Sequence, residues 1–243
     1  MRAWTSIFFL ASLIFPVSTP GLAASLSTMP VTIEVKAPGA AEQLSLRNEG
    51  EAPLTAQIRV FRWSQVNGVD RLEPTTDVVA SPPMTSIGAK SEQIIRIVRI
   101  AKRPLGAEET YRVLVDEMPA PRSQKVASIN IAMRYSIPVF FTPPAGGQYA
   151  LSWALERRDG KVFIAATNNG DRRVRLSQLS LKDQSGAEVT VGKGLIGYVL
   201  ARSSMRFAVS GNVQSLGIKG PVHVTASGDQ GPINAQAQTS AGR

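Results

Sequence analysis

Residues 129–141 read Ile129-Asn130-Ile131-Ala132-Met133-Arg134-Tyr135-Ser136-Ile137-Pro138-Val139-Phe140-Phe141. Up to Val139, one parity carries Ile129, Ile131, Met133, Tyr135, Ile137 and Val139, and the other carries Asn130, Ala132, Arg134, Ser136 and Pro138. Successive side chains on a strand point to opposite faces, so this alternation predicts a strand with one continuous apolar face. The run is longer than the usual strand of about five or six residues. A proline-broken basic loop, Pro119 to Lys125, precedes it. One reading makes it the last strand of a sandwich, facing its own core. The other makes it an edge that recruits another chain, because long apolar edges are otherwise suppressed.

Working back toward the N-terminus, strand-length runs occur at Val31–Lys36, Gln43–Asn48, Leu54–Trp63, Gln93–Ile100 and Tyr111–Met118. They are joined by Ala37-Pro38-Gly39, Asn48-Glu49-Gly50, Asn67-Gly68 and Ser81-Pro82-Pro83, residues that supply positive or fixed φ where a chain reverses. Such a series in about 120 residues predicts an immunoglobulin-like sandwich. Thr142-Pro143-Pro144-Ala145-Gly146-Gly147 interrupts the pattern, and a domain boundary is placed there, dividing 25–144 from 145–243. A second series follows at Tyr149–Glu156, Val162–Thr167, Val174–Leu181, Ala187–Val191, Ser204–Ser210 and Val222–Ala226. Leu44 to Gly50 and Ile164 to Gly170 both run from strand into an Asn-containing turn at the same spacing, as two like sandwiches would. The tail from Asn234 loses apolar content and is expected to fray.

The composition agrees with an all-β chain. Its 243 residues are 43% hydrophobic and 19% charged, enough for a real core, with 20 glycines and 16 prolines spread throughout. No cysteine and a single histidine, His223, exclude disulfides, thiol nucleophiles and Cys/His metal cages. The net charge is +9. From Ser25 to Pro144, 14 Lys/Arg face 12 Asp/Glu; from Ala145 onward, 12 face 6. These charges are dispersed, and no basic block interleaved with aromatics points to nucleic acid.

Residues 1–24 place Arg2 before an apolar stretch, Trp4 to Val17, that ends in Gly21, Ala23 and Ala24. This reads as a secretory signal peptide cut after Ala23 or Ala24. No later run reaches the roughly 20 apolar residues of a spanning helix, so no membrane insertion is expected after cleavage.

Catalytic patterns fail on context. Gly192-Lys193-Gly194-Leu195-Ile196-Gly197 has dinucleotide-motif spacing, yet it lies among short β segments without the helix that motif requires, and is read as a loop. The neighbours Glu108-Glu109 and Asp116-Glu117 point to opposite strand faces, so neither is an acid/base couple. A non-enzyme without cofactor or metal is expected.

The sequence is similar to the PapD-like periplasmic pilus chaperone family, in particular its branch serving archaic and spore-coat-U-type pili. The similarity is carried by Leu44–Gly50, Val60–Trp63, Arg71–Pro74, Ala80–Pro83, Tyr111–Pro119, Arg134–Phe140 and Gly197–Ala201, in this order along nearly the whole mature chain. The resemblance implies two immunoglobulin-like domains in an L or boomerang arrangement. It further implies a periplasmic chaperone that folds and caps pilus subunits by donor-strand complementation, without ATP, and delivers them to an outer-membrane usher. The family's donor strand falls on Ile129, Ile131 and Met133, flanked by Tyr135 and Ala127. The positions of the family's cleft arginine and lysine, which grip the subunit carboxylate, are here Thr32 and Pro138. Neither can form an ion pair. Arg112 is therefore the first candidate anchor and Arg134 the second, each weighed against a cross-strand pair with Asp116 or Glu117. Whether the free protein covers its edge strand by self-association is left open at this level. Two other readings remain at this level: a secreted adhesive or structural subunit of the same shape, and a periplasmic ligand-binding module built around Trp63 or Trp153, which otherwise read as core or hinge packing.

Overall fold

The computed structural model describes residues 26–118, 132–158, 160–210 and 220–240. The expected signal segment lies outside them. Seventeen strands and no helix occur among the described residues. The alternation of apolar residues explains the first two sheets. One sheet runs β1 (Leu26–Met29), β3 (Ala41–Asn48), β8 (Glu92–Arg99), β6 (Val78–Ser81). The other runs β2 (Ile33–Lys36), β10 (Arg134–Thr142), β9 (Glu109–Met118), β4 (Leu54–Val66), β5 (Val69–Pro74), with β7 (Met84–Ile87) also paired to β4. Leu44, Leu46, Ile95 and Ile97 of the first sheet bury against Ala56, Ile58, Val113, Val115 and Val139 of the second. Each fully buried aliphatic side chain contributes about 1.5–3 kcal/mol, and together they make this sandwich an independent core.

All strands from Leu151 onward form a third sheet, ordered β14 (Glu188–Val199), β13 (Val174–Lys182), β16 (Val222–Gly228), β17 (Gly231–Ser240), β11 (Leu151–Arg158), β12 (Lys161–Asn168), β15 (Ser203–Ala208). It surrounds a second core that includes Trp153, Ile164, Leu176, Leu181 and Val224. The molecule is thus two immunoglobulin-like β-sandwich domains. Two-residue reversal at Asn67-Gly68, with φ of 55° and 77°, closes the β4–β5 hairpin as the Asn-Gly pair predicts.

Three expectations are corrected. The Gly192–Gly197 stretch lies within strand β14, where register shifts against β13 absorb its irregularity. Asn234 to Ser240 of the tail do not fray, because β17 pairs with β16 on one side and β11 on the other and buries Ile233 and Ala237. Within the apolar run at 129–141, Val139 to Phe141 are not an edge but lie between β2 and β9. Ile137, Val139 and Phe141 there face their own core. The short β5, β6 and β7 were hidden in the sequence by their length and exposure.

Candidate functional site

The first strand of the sandwich switches sheets. Residues 26–29 pair with β3, whereas 33–36 pair with β10, and the crossing leaves Met29 74% and Val31 73% exposed. Its departure uncovers part of β10. Parallel pairing with β2 begins at Val139 opposite Ile33. From Arg134 to Pro138, β10 pairs with β9 alone, and no strand among the described residues takes its other edge. Pro138 marks the change; with no N–H it has no ladder donor to offer on either side.

The structure distributes the candidate donor residues unequally. Ile129, Ile131 and Ala127 lie outside the described residues. Met133 is half-buried just before β10, and its carbonyl accepts the Glu117 N–H at 2.9 Å. It borders a groove of about 340 Å³ shared with Gln57, Arg59, Asp116, Glu117 and Arg134. Tyr135 is in β10, packs against the first core, and donates its hydroxyl to the Leu26 carbonyl. It is therefore already engaged within its own domain.

The two arginine candidates also separate. Arg134 sits opposite Asp116 in the ladder and ion-pairs with it, while Arg59 reaches the same carboxylate at 2.7 Å. Burial would raise the Asp116 carboxyl, but hydrogen bonds from Arg134 and Arg59 bring it below its ordinary value. Arg112 sits opposite Pro138 and forms no ion pair with any described carboxylate. Its guanidinium carbon lies 3.8 Å from the Trp63 ring centroid and 6.0 Å from that of Tyr198, and Nη1 reaches the Ser136 carbonyl at 3.4 Å. Burial lowers its pKa, against the pull of the nearby Asp70 carboxylate.

Outward-facing residues of the second sheet meet the second domain in one seam. Trp63, Phe140, Tyr198 and Leu200 form a buried cluster. Gln65 completes it, donating to the Tyr198 carbonyl at 2.8 Å and accepting the Leu200 N–H at 2.9 Å. Trp63 thus packs at the hinge, and Trp153 in the second core. Beside the cluster Arg173, 2% exposed, binds both Glu108 and Glu34 and stacks 3.4 Å from the Phe140 centroid. Burial pushes Glu108 up, against the pull of Arg173. At the far end the Asn67-Gly68 turn rests on β15, where Arg206 donates to the Asn67 carbonyl at 2.6 Å. Sequence reading missed Gln65, Arg173 and Tyr198 as seam residues; only the stretch Gly197–Ala201 had drawn attention to the last of these.

Among the described residues, no group of His, Asp or Glu is placed to hold a metal ion. What the described residues offer is a strand edge from Arg134 to Pro138 paired on one side only, next to a groove lined by Arg59, Asp116 and Met133 and to Arg112 over the Trp63 ring.

Comparison with known proteins accords with this geometry. The model of the family described as "Pili and flagellar-assembly chaperone, PapD N-terminal domain" matches residues 25–146. The structure is similar to a chain of the CsuC–CsuE chaperone–tip adhesion subunit pre-assembly complex from archaic chaperone-usher Csu pili of Acinetobacter baumannii. The identity is 26% and the TM-score 0.67, over 90% of this chain and 100% of that one. It also resembles the YadV chaperone at 20% identity and TM-score 0.61, over 88% and 100% of the two chains. A third likeness is to the Salmonella enterica SafA pilin–SafB chaperone complex, at 17% and 0.60, over 87% and 96%. No curated protein matches the sequence.

Proposed function

The chain belongs to the PapD family of pili and flagellar-assembly chaperones, and from that membership we propose that it caps pilus subunits in the periplasm by lending them a strand. The observation that carries this reading is the edge of β10 from Arg134 to Pro138, which among the described residues only β9 pairs with, on the opposite side. An added strand there gains main-chain hydrogen bonds, while alternate side chains enter the acceptor's groove. Ile129, Ile131 and Met133 are the residues we assign to that groove, with Tyr135 at the flank. Burying the three is worth about 1.5–3 kcal/mol each, a scale that holds a subunit lacking its own final strand without ATP. Handover to an outer-membrane usher follows in this scheme when the next subunit's extension replaces the lent strand. Arg112 is the proposed grip for the subunit's terminal carboxylate. It is supported over Arg134 because Arg134 is already neutralised by Asp116.

Co-expression with a candidate pilus subunit tests the proposal. Ile131→Asp with Met133→Asp should abolish co-purification of the subunit while the chaperone stays folded. Unchanged recovery would overturn the assigned strand. Arg112→Glu should weaken capture of intact subunit more than Arg134→Glu; the reverse order would overturn the choice of anchor.

A further inference from the structure

Resting on the carboxylate-binding reading of Arg112, we propose that Trp63 and Tyr198 are positioning residues which together hold its guanidinium flat for a bidentate carboxylate, one residue from each domain.

Every other arginine on β4, β9 and β10 already holds a carboxylate: Arg59 and Arg134 hold Asp116, and Arg62 holds Asp77. Arg112 instead lies against an indole. A guanidinium that stacks face-on uses none of its in-plane N–H donors in doing so, because all five radiate from its edge. One of them reaches the Ser136 carbonyl. The stack therefore fixes the plane of the group while leaving donors for a ligand, which an ion pair within the protein would consume.

The platform is itself braced from both domains. The Trp63 indole N–H donates to Asp70 Oδ1 at 2.9 Å, and the same oxygen accepts from Gln65 Nε2 at 2.9 Å. Gln65 is clamped to the backbone of residues 198 and 200. The Tyr198 ring stands edge-on to Trp63, with centroids 5.4 Å apart at 84°. Tyr198 thus touches the platform from the second domain and lies within cation–π reach of the same guanidinium. Opening the seam would release the indole and let the guanidinium rotate. Carboxylate binding at Arg112 is consequently coupled to the closed seam.

The test follows the Arg112 side-chain Nε–H resonance by NMR during titration with acetate, with acetamide as the uncharged isostere. In the unaltered chain acetate should shift the resonance saturably and acetamide should not. Trp63→Leu and Tyr198→Leu should each weaken the acetate response about fivefold, and Trp63→Phe, which keeps an aromatic face, should restore most of it. The backbone amide spectrum reports whether each variant is folded. Should Trp63→Leu not fold, Tyr198→Leu and Gln65→Ala, which removes the clamp between the platform strand and residues 198 and 200, carry the same expectation. An acetate response unchanged in the folded variants overturns the positioning role alone. Failure of acetate to move Arg112 in the unaltered chain overturns the carboxylate reading on which the inference rests.

Discussion

Asn48 and Asn168, 120 positions apart, make four matching hydrogen bonds in the two domains, to which Asn168 adds one from the Ala150 N–H. Each side-chain amide nitrogen donates to the carbonyl four residues on, Ala52 or Arg172. Each also donates to two consecutive carbonyls of a distant segment, Ile87 and Gly88 for Asn48, Val199 and Leu200 for Asn168. Each side-chain oxygen accepts the N–H two residues on, from Gly50 or Gly170. Both residues are fully buried. The two sandwiches share one device: an Asx turn that ends a strand and pins it to a facing loop.

Replacing either asparagine by alanine strands several buried backbone groups. Each buried group left unpaired costs about 1–3 kcal/mol, so a net loss of at least about 3 kcal/mol is expected in urea unfolding for Asn48→Ala and for Asn168→Ala. Aspartate at either site accepts but cannot donate, and should be no better than alanine.

The buried seam pair makes a second case. Arg173→Ala leaves Glu108, whose side chain is 0% exposed, without its partner, and breaking such a pair costs about 3–5 kcal/mol. Thermal unfolding should then separate into two transitions as the domains uncouple. Arg173→Met combined with Glu108→Gln should recover part of the loss; equal damage in single and double variants would contradict the assignment.

Acid should destabilise the first domain. Burial opposes ionisation of Glu109, but hydrogen bonds from Arg99 and the Tyr111 hydroxyl hold its pKa below the ordinary value, and the Arg103 hydrogen bond does the same for Asp77. A carboxyl depressed on folding stabilises above its unfolded pKa, and that contribution is lost as pH falls through the folded pKa. The urea midpoint should therefore fall progressively below about pH 4, and Glu109→Gln should flatten that dependence while lowering stability at neutral pH. Glu108, pushed upward by burial, contributes in the opposite sense and does not drive the acid loss.

Gly68 occupies φ +77°, and a Cβ there would stand 2.6 Å from Arg206 Cγ. Gly68→Val combines backbone strain with a clash across the seam. A loss of about 2 kcal/mol is expected, with Gly68→Ala milder, and hydrogen exchange should rise at β15 as well as in the hairpin.

Much of this architecture could be read from the chain because the deciding forces are local. Alternation at Tyr111, Val113 and Val115 gives a strand with one buried face wherever it is placed. Asn67-Gly68 closes a two-residue hairpin because both residues tolerate positive φ. The echo between Leu44–Gly50 and Ile164–Gly170 marks two turns whose side-chain bonds span only a few residues. Reading failed where the deciding partner is distant. The polar tail Asn234–Ser240 looks unable to hold itself, and does so only because two strands flank it.

Sequence alone determined an all-β chain with two sandwich domains, and a long apolar run at 129–141 suited to either core or recruitment. Tertiary structure decided that Val139 to Phe141 of that run are paired on both sides, because β2 reaches β10 only from Ile33 onward. It also decided that Arg134 is paired with Asp116 while Arg112 lies over the Trp63 ring without an ion pair to any described carboxylate. Two arginines of the same chemistry differ there because ion pairing depends on which carboxylate lies across the ladder, and register is set by the packing of the whole sheet.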